Sequence, residues 1–297
     1  RWTREENFAN DHFRQGGIHE IKGGIDKKGK PRVWHQKIAC DSVMSKRMPA
    51  RVKEDIDHSS FQGVPDMPYL IENMQVEYAL TKLPIPVGFW RSVGYSFNVF
   101  TVETFIDEMA HAAGKDPLQF RLNHMKKETR AYNALQLLAE KIKAHDQPAT
   151  GHHRGFAVTE CFEGATAYMA EVSVDKKTGK IKVHKLVMAI DCGTAVYPDQ
   201  IKAQVEGGAV MATSVAFGEE IIFENGGVKT RNDDEYNLLR MSDIPETVEI
   251  HIADSKSKAG GVGEPVYPAV APAIANAVFQ ATGVRLRELP FQTDLLI

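Results

Sequence analysis

Gly260-Gly261-Val262-Gly263-Glu264-Pro265 places a lone carboxylate after a glycine-rich turn, and an Ala- and Pro-rich stretch of helical character follows as far as Thr282. Glycines in such a turn let a ligand or a second backbone come close, and they permit φ > 0. Proline is tolerated in the first turn of a helix, where its missing N–H costs nothing, so Pro265 reads as the helix start. Glu264 is then expected beside the free amides of that helix, which favour negative charge. A carboxylate held there suits proton abstraction, although ordinary helix capping explains the same residues. Two phosphate-binding readings fail. A dinucleotide fingerprint needs glycine where Val266 stands, and no Lys-Ser or Lys-Thr pair follows as a P-loop requires.

Working outward from the motif, residues 169–174 and 181–190 read as strands flanking the turn Asp175-Lys176-Lys177-Thr178-Gly179-Lys180. Residues 219–223 face 228–231 across Asn225-Gly226-Gly227, and 247–252 form a further strand. Residues 198–215 read as a helix interrupted at Gly207-Gly208. Nearer the start, 18–38 is a hairpin turning at 26–30, and 48–86 is a loop-rich stretch with several prolines. Val102, Phe105, Ile106 and Met109 recur at helical spacing across 98–113, with Gly114 as the stop. Asp116-Pro117 caps and starts another helix that buries Phe120 and Leu122. Leu135, Leu138 and Ile142 share one side of a third over 130–145. The polar stretch 147–153 is the expected boundary between a first region, 1–150, and a second, 151–297. Hairpins and helices without regular βαβ alternation predict an α+β fold of mixed sheets and packed helices.

Three segments in this order resemble one family. The Gly-Gly-Val-Gly-Glu-Pro motif with its Tyr267-Pro268-Ala269-Val270-Ala271-Pro272 continuation resembles the C-terminal signature of molybdenum-binding subunits of the xanthine dehydrogenase family. Within that family the likeness is strongest to the beta subunit of isoquinoline 1-oxidoreductase and its kin. Gly88-Phe89-Trp90-Arg91-Ser92-Val93-Gly94 resembles the family's Ala-Phe-Arg-Gly-Phe-Gly cofactor loop, with Phe89 and Ser92 departing from Ala and Gly. Val196-Tyr197-Pro198-Asp199-Gln200 through Gln204-Val205-Glu206-Gly207-Gly208 resembles its Asn-Pro…Gln-Val-Glu-Gly segment.

The resemblance implies the molybdenum-cofactor-binding part of a molybdenum hydroxylase large subunit, oxidising an N-heteroaromatic compound or an aldehyde with water-derived oxygen. It makes Glu264 the general base and brings Trp90, Arg91, Gln204 and Gly263 to the cofactor. Backbone amides of the tryptophan–arginine loop, rather than the Arg91 side chain, would make the cofactor contacts. Without it, Trp90-Arg91 reads as core packing with a surface cation and Gln204 as polar surface. The implied cofactor is molybdopterin cytosine dinucleotide, whose dithiolene holds the metal, so no protein metal ligand is expected. Implied partners are a small subunit carrying 2Fe–2S clusters, a small-molecule substrate, and the N-terminal half of the same subunit. Because further pterin-binding segments are missing and Arg1 rather than Met opens the chain, the expectation for this piece alone is no bound molybdenum and no activity. The competing class is a non-catalytic binding or assembly module that kept the fold without the cofactor.

Bulk properties agree with a globular oxidoreductase part. The chain has 297 residues, 43% hydrophobic and 25% charged, which suits one large or two ordinary domains. A net charge of −3 gives no electrostatic case for nucleic acid, and no apolar run approaches a membrane span. The expectation is a soluble protein of the bacterial cytoplasm or periplasm. Cys40, Cys161 and Cys192 are isolated, so they read as buried small residues and offer no iron–sulfur ligand set. His152 and His153 are adjacent and cannot share a strand side. Asp233-Asp234-Glu235 reads as a solvated acidic cluster, and Asp191-Cys192 as structural.

Overall fold

A computed structural model describes residues 1–142 and 147–297. The chain opens with α1 (Arg4–Asn10), β1 (Phe13–Arg14), β2 (Gly17–Ile25), β3 (Pro31–Cys40), α2 (Val43–Arg47), β4 (Asn73–Leu80) and β5 (Val87–Gly88). Helices α3 (Tyr95–Ala112), α4 (Pro117–His124) and α5 (Arg130–Ile142) follow. The rest comprises β6 (His153–Cys161), β7 (Gly164–Val174), β8 (Ile181–Asp191), α6 (Pro198–Phe217), β9 (Phe223–Glu224), β10 (Gly227–Val228), β11 (Thr247–Ile252) and α7 (Val270–Thr282). The architecture is α+β, with several small sheets and packed helices, as the pattern of hairpins implied.

A four-stranded sheet in the order β11-β8-β7-β6 organises the molecule. Neighbours β6, β7 and β8 pair antiparallel, and β11 joins β8 in parallel. Side chains alternate between faces along a strand, so the two faces of β7 feed two cores. Tyr168, Ala170 and Val172 join residues of α6 and α7 in one, while Ala165, Ala167 and Met169 join α3, α4, α5 and β3 in the other. This second core spans the stretch 147–153, because Leu135 and Leu138 of α5 lie with Met169 and Val187 of the sheet. Where β6 meets α7 there is no room for a side chain: a Cβ on Gly155 would overlap backbone atoms of Ala273 and Ala277.

The hairpin β2–β3 forms as its turn chemistry implied. The Asp26 carboxylate accepts from the Lys28 and Lys30 amides at 2.8 and 3.0 Å, and Gly29 takes φ 79°. Asp116 caps α4 by accepting from the Gln119 amide at 2.8 Å. A buried ionic knot ties these layers together. Arg121 of α4 donates to Glu103 of α3 at 2.9 Å, and Asp107 of the same helix accepts from Arg285 at 2.7 Å. Asn276 of α7 donates to the Phe156 carbonyl of β6 at 3.0 Å.

Several elements differ from the sequence reading. The stretch 48–86 is not all loop, because β4 runs through it parallel to β3. Its Met74, Val76 and Tyr78 alternate inward with Asn73, Gln75 and Glu77 outward, a period-two signal hidden by the prolines around it. The strands expected at 219–223 and 228–231 shrink to the two-residue pair β9–β10. Residues 143–145 of the helix expected over 130–145 lie outside the described residues. Helix α6 passes through Gly207-Gly208 without a break; glycine costs a helix interior only about 1 kcal/mol per residue, which tertiary packing overrides. Among the described residues no helix is long and apolar enough to cross a membrane.

Candidate functional site

The glycine motif forms an irregular turn, not a helix start. Helix α7 begins only at Val270, after Ala269, so Pro265 is not its first residue, and Glu264 Oε2 accepts no bond from its amides. Pro268 works against an earlier start, because the residue before a proline is disfavoured in helical φ/ψ and Tyr267 stands there. Nor do Gly260, Gly261 and Gly263 take positive φ. Gly260 and Gly261 are needed for close approach to protein instead. A Cβ on Gly260 would overlap the Glu163 carbonyl, and one on Gly261 would lie 2.5 Å from the Phe162 carbonyl. The Gly260 and Gly261 amides donate to the Cys192 and Phe162 carbonyls at 2.8 and 2.9 Å. The guanidinium of Arg130 binds the Glu163 carbonyl and donates to the Lys258 carbonyl at 2.5 Å, tying the two loops together.

From Gly263 onward, four successive carbonyls each accept from a side chain. Arg91 Nε donates to the Gly263 carbonyl at 2.6 Å and Ser92 Oγ to that of Glu264 at 2.7 Å. Thr166 Oγ1 donates to the Pro265 carbonyl at 2.6 Å, and the Tyr168 hydroxyl donates to that of Val266. Two donors come from the loop after β5 and two from one face of β7. Each such bond contributes about 0.5–1.5 kcal/mol net, enough in sum to hold the motif in one shape.

The loop after β5 is itself unusual. Ser92 and Val93 take φ 73° and 49°, in the left-handed region that costs a non-glycine residue roughly 1–2 kcal/mol. Val93, being β-branched, is the more strained of the two. Its amide donates to the Trp90 carbonyl at 2.9 Å and closes the turn before α3. A Cβ on Gly94 would overlap the Ser59 carbonyl, so Gly94 serves packing within the protein.

Helix α6 completes the site. A Cβ on Gly208 would overlap Val266 Cγ2 and lie 3.3 Å from Arg91 Nη2, while one on Gly263 would lie 3.3 Å from Gln204 Nε2. Arg91 Nη1 also reaches Met211 Sδ at 3.8 Å. The fold thus brings together Trp90, Arg91, Gln204, Gly263 and Glu264 from three separate stretches of chain. Gln204 is exposed, whereas Trp90, Arg91 and Glu264 are half-buried.

Three polar atoms here are shielded from water without a hydrogen-bond partner: Trp90 Nε1, Arg91 Nη2 and Glu264 Oε2. The Tyr267 hydroxyl lies near Trp90 without meeting bonding geometry. Such atoms cost about 1–3 kcal/mol apiece when left unmet, so the unmet donors of the tryptophan–arginine loop and the unmet acceptor of the motif it holds each call for a polar partner. A cavity of about 500 Å³ opens at Gln204 and the start of the motif, lined also by Thr194, Tyr197, Gln200, Gly260 and Val262 but not by Trp90, Arg91 or Glu264. Larger hollows of about 560 and 690 Å³ lie along the N-terminal segment. Only the first of these touches Trp90, and neither is lined by Gln204 or the motif. Burial, and then the charge of Glu264, push the Cys161 thiol well above its usual range, so this cysteine is inert. No group of three or more His, Cys, Asp or Glu among the described residues could hold a metal.

The side chains of Ser92, Thr166 and Tyr168 were not legible as site residues. Ser92 registered only as a departure from glycine, and Thr166 and Tyr168 lie before residue 169, where the sequence reading begins the strand, although β7 in fact starts at Gly164. Alternation along the full length of β7 could have paired them, but not named the loop they hold.

Two family models, each a molybdopterin cofactor-binding domain, match residues 1–125 and 99–245. The chain belongs to the molybdenum-cofactor-binding domains of the xanthine dehydrogenase family. The isoquinoline 1-oxidoreductase beta subunit of Brevundimonas diminuta is 26% identical over 99% of this chain and 38% of its own length. A nicotinate dehydrogenase subunit of Pseudomonas putida is 32% identical over 76% of this chain and 20% of its own. An aldehyde oxidoreductase structure from Desulfovibrio gigas superposes with a TM-score of 0.77 at 15% identity, covering 98% of this chain and 50% of that one. The chain therefore spans less than half the length of the two curated relatives.

Proposed function

We propose that this chain is the C-terminal part of a molybdenum hydroxylase large subunit that oxidises an N-heteroaromatic compound or an aldehyde, with Glu264 as general base. The observation that carries the reading is the shielded, partnerless Glu264 Oε2, on a residue whose main chain is held by the tryptophan–arginine loop. A carboxylate oxygen kept from water without a protein donor is free to accept a proton from a reactant. The residues present fit the family's cofactor, since Trp90 Nε1 and Arg91 Nη2 are unmet donors and Gln204 offers both donor and acceptor. Gln204, the Gly263 backbone and the Trp90–Arg91 loop would hold the pterin. When bound, that group supplies the two-electron oxidant for the substrate carbon. The protein's own part is to exclude water, orient the substrate and take up the proton at Glu264. We assign the molybdopterin cytosine dinucleotide form, a partner subunit with 2Fe–2S clusters, and dependence on the remainder of the large subunit for cofactor retention.

The Glu264→Gln variant of the intact enzyme tests the base. General-base contributions run to about 100-fold or more, so turnover should fall at least that far while molybdenum content persists. Unchanged turnover would reject the base assignment, whereas an intact protein without any turnover would favour a binding or assembly module. Metal analysis of the purified chain tests the rest: stoichiometric molybdenum there would show that it needs no second half.

A further inference from the structure

We infer that Ser92 is a positioning residue for Glu264, holding the carboxylate on aim through the main chain; the inference rests on Glu264 being the base. The two peptide planes that flank the Glu264 Cα are held by consecutive side chains. Arg91 Nε grips the carbonyl before it at 2.6 Å, and Ser92 Oγ grips the carbonyl after it at 2.7 Å. With both planes held, φ and ψ of Glu264 are set, and so is the direction of its Cα–Cβ bond. The carboxylate needs this, because Glu264 Oε2 has no bond of its own to direct it. Ser92 is fully buried, so no water can replace its hydroxyl. Its φ of 73° is one that glycine adopts without strain. A serine there keeps a strained backbone and contributes the shorter of two bonds to the Glu264 carbonyl, at 2.7 Å against 3.3 Å from the Tyr267 amide. Serine at this position is therefore better explained by what its hydroxyl holds than by the turn itself.

The test is a double-mutant cycle in the intact holoenzyme, pairing Ser92→Ala with Glu264→Gln and reading kcat, KM, molybdenum content and thermal midpoint. Misaimed catalytic groups lose rate steeply, so Ser92→Ala should lower kcat about tenfold with KM and molybdenum content nearly unchanged. In the Glu264→Gln background the same change should leave kcat where it was, while shifting the thermal midpoint as it does alone. Ser92→Gly, which relieves the backbone, repeats the cycle should the alanine variant fold poorly. Equal rate losses in both backgrounds, or no loss in either, would overturn the positioning role. An unaltered rate in Glu264→Gln alone is a separate outcome, which removes the base itself.

Discussion

Replacing Gly208 with alanine sets two effects against each other on one helix. Alanine gains about 1 kcal/mol over glycine in a helix interior. At 208 the new methyl would overlap Val266 Cγ2 and sit 3.3 Å from both Val266 Cβ and Arg91 Nη2. Val266 cannot swing aside, since it is fully buried, β-branched, and tied at its carbonyl by Tyr168. Overpacking of this kind costs about 1–3 kcal/mol, so the net change runs from near zero to a loss of about 2 kcal/mol. The neighbouring Gly207 is exposed, with nothing within 4 Å of its would-be Cβ. Alanine there should keep the helix gain of about 1 kcal/mol undiminished. Subtracting one variant from the other cancels helix propensity and isolates the contact with Val266 at about 1–3 kcal/mol. Urea unfolding of the purified chain, with both variants at matched slopes, gives that difference from the midpoints. Equal midpoints for the two alanine variants would refute the packing role of Gly208.

Arg121→Met should cost about 3–5 kcal/mol, because it strands Glu103 as an uncompensated buried charge. Adding Glu103→Gln should recover a good part of that, and a loss below about 1 kcal/mol in urea unfolding would contradict it. His19 supplies a pH signature. Burial lowers its pKa to about 4, and Gln36 Nε2, oriented by Trp34 donating to Oε1 at 3.0 Å, points at His19 Nδ1 from 2.9 Å. The folded chain therefore resists a proton that the unfolded chain accepts near pH 6.5. Stability should be full above about 6.5 and decline as pH falls toward about 4, and His19→Gln should flatten that decline. Parallel stability curves for the two proteins would show that His19 plays no such part.

The α+β class, the hairpin β2–β3, the capped helix α4, the second half of β7 and the strands β8 and β11 were legible because each rests on local chemistry. Asp26 and Asp116 reach their own neighbours, and alternation needs no distant partner. The rest depended on contacts between remote stretches. Gly207-Gly208 resembles a helix break until Val266 is seen packed against it. Gly260, Gly261 and Gly94 resemble ligand-facing glycines until Glu163, Phe162 and Ser59 are found in the space a side chain would need. The motif residues themselves were legible as a set; how Glu264 is held was not, since its clamp draws on residues 91, 92, 166 and 168.

The core shared across the stretch 147–153 bears on how the molecule is made. Helix α5 leaves the ribosome before β6, β7 and β8, the strands that cover its Leu135 and Leu138, have been translated. During that interval its apolar face has no native lid and is a surface for chaperones or for stray aggregation. Synonymous changes that slow translation just after α5 should therefore lower the yield of folded protein without altering a single amino acid.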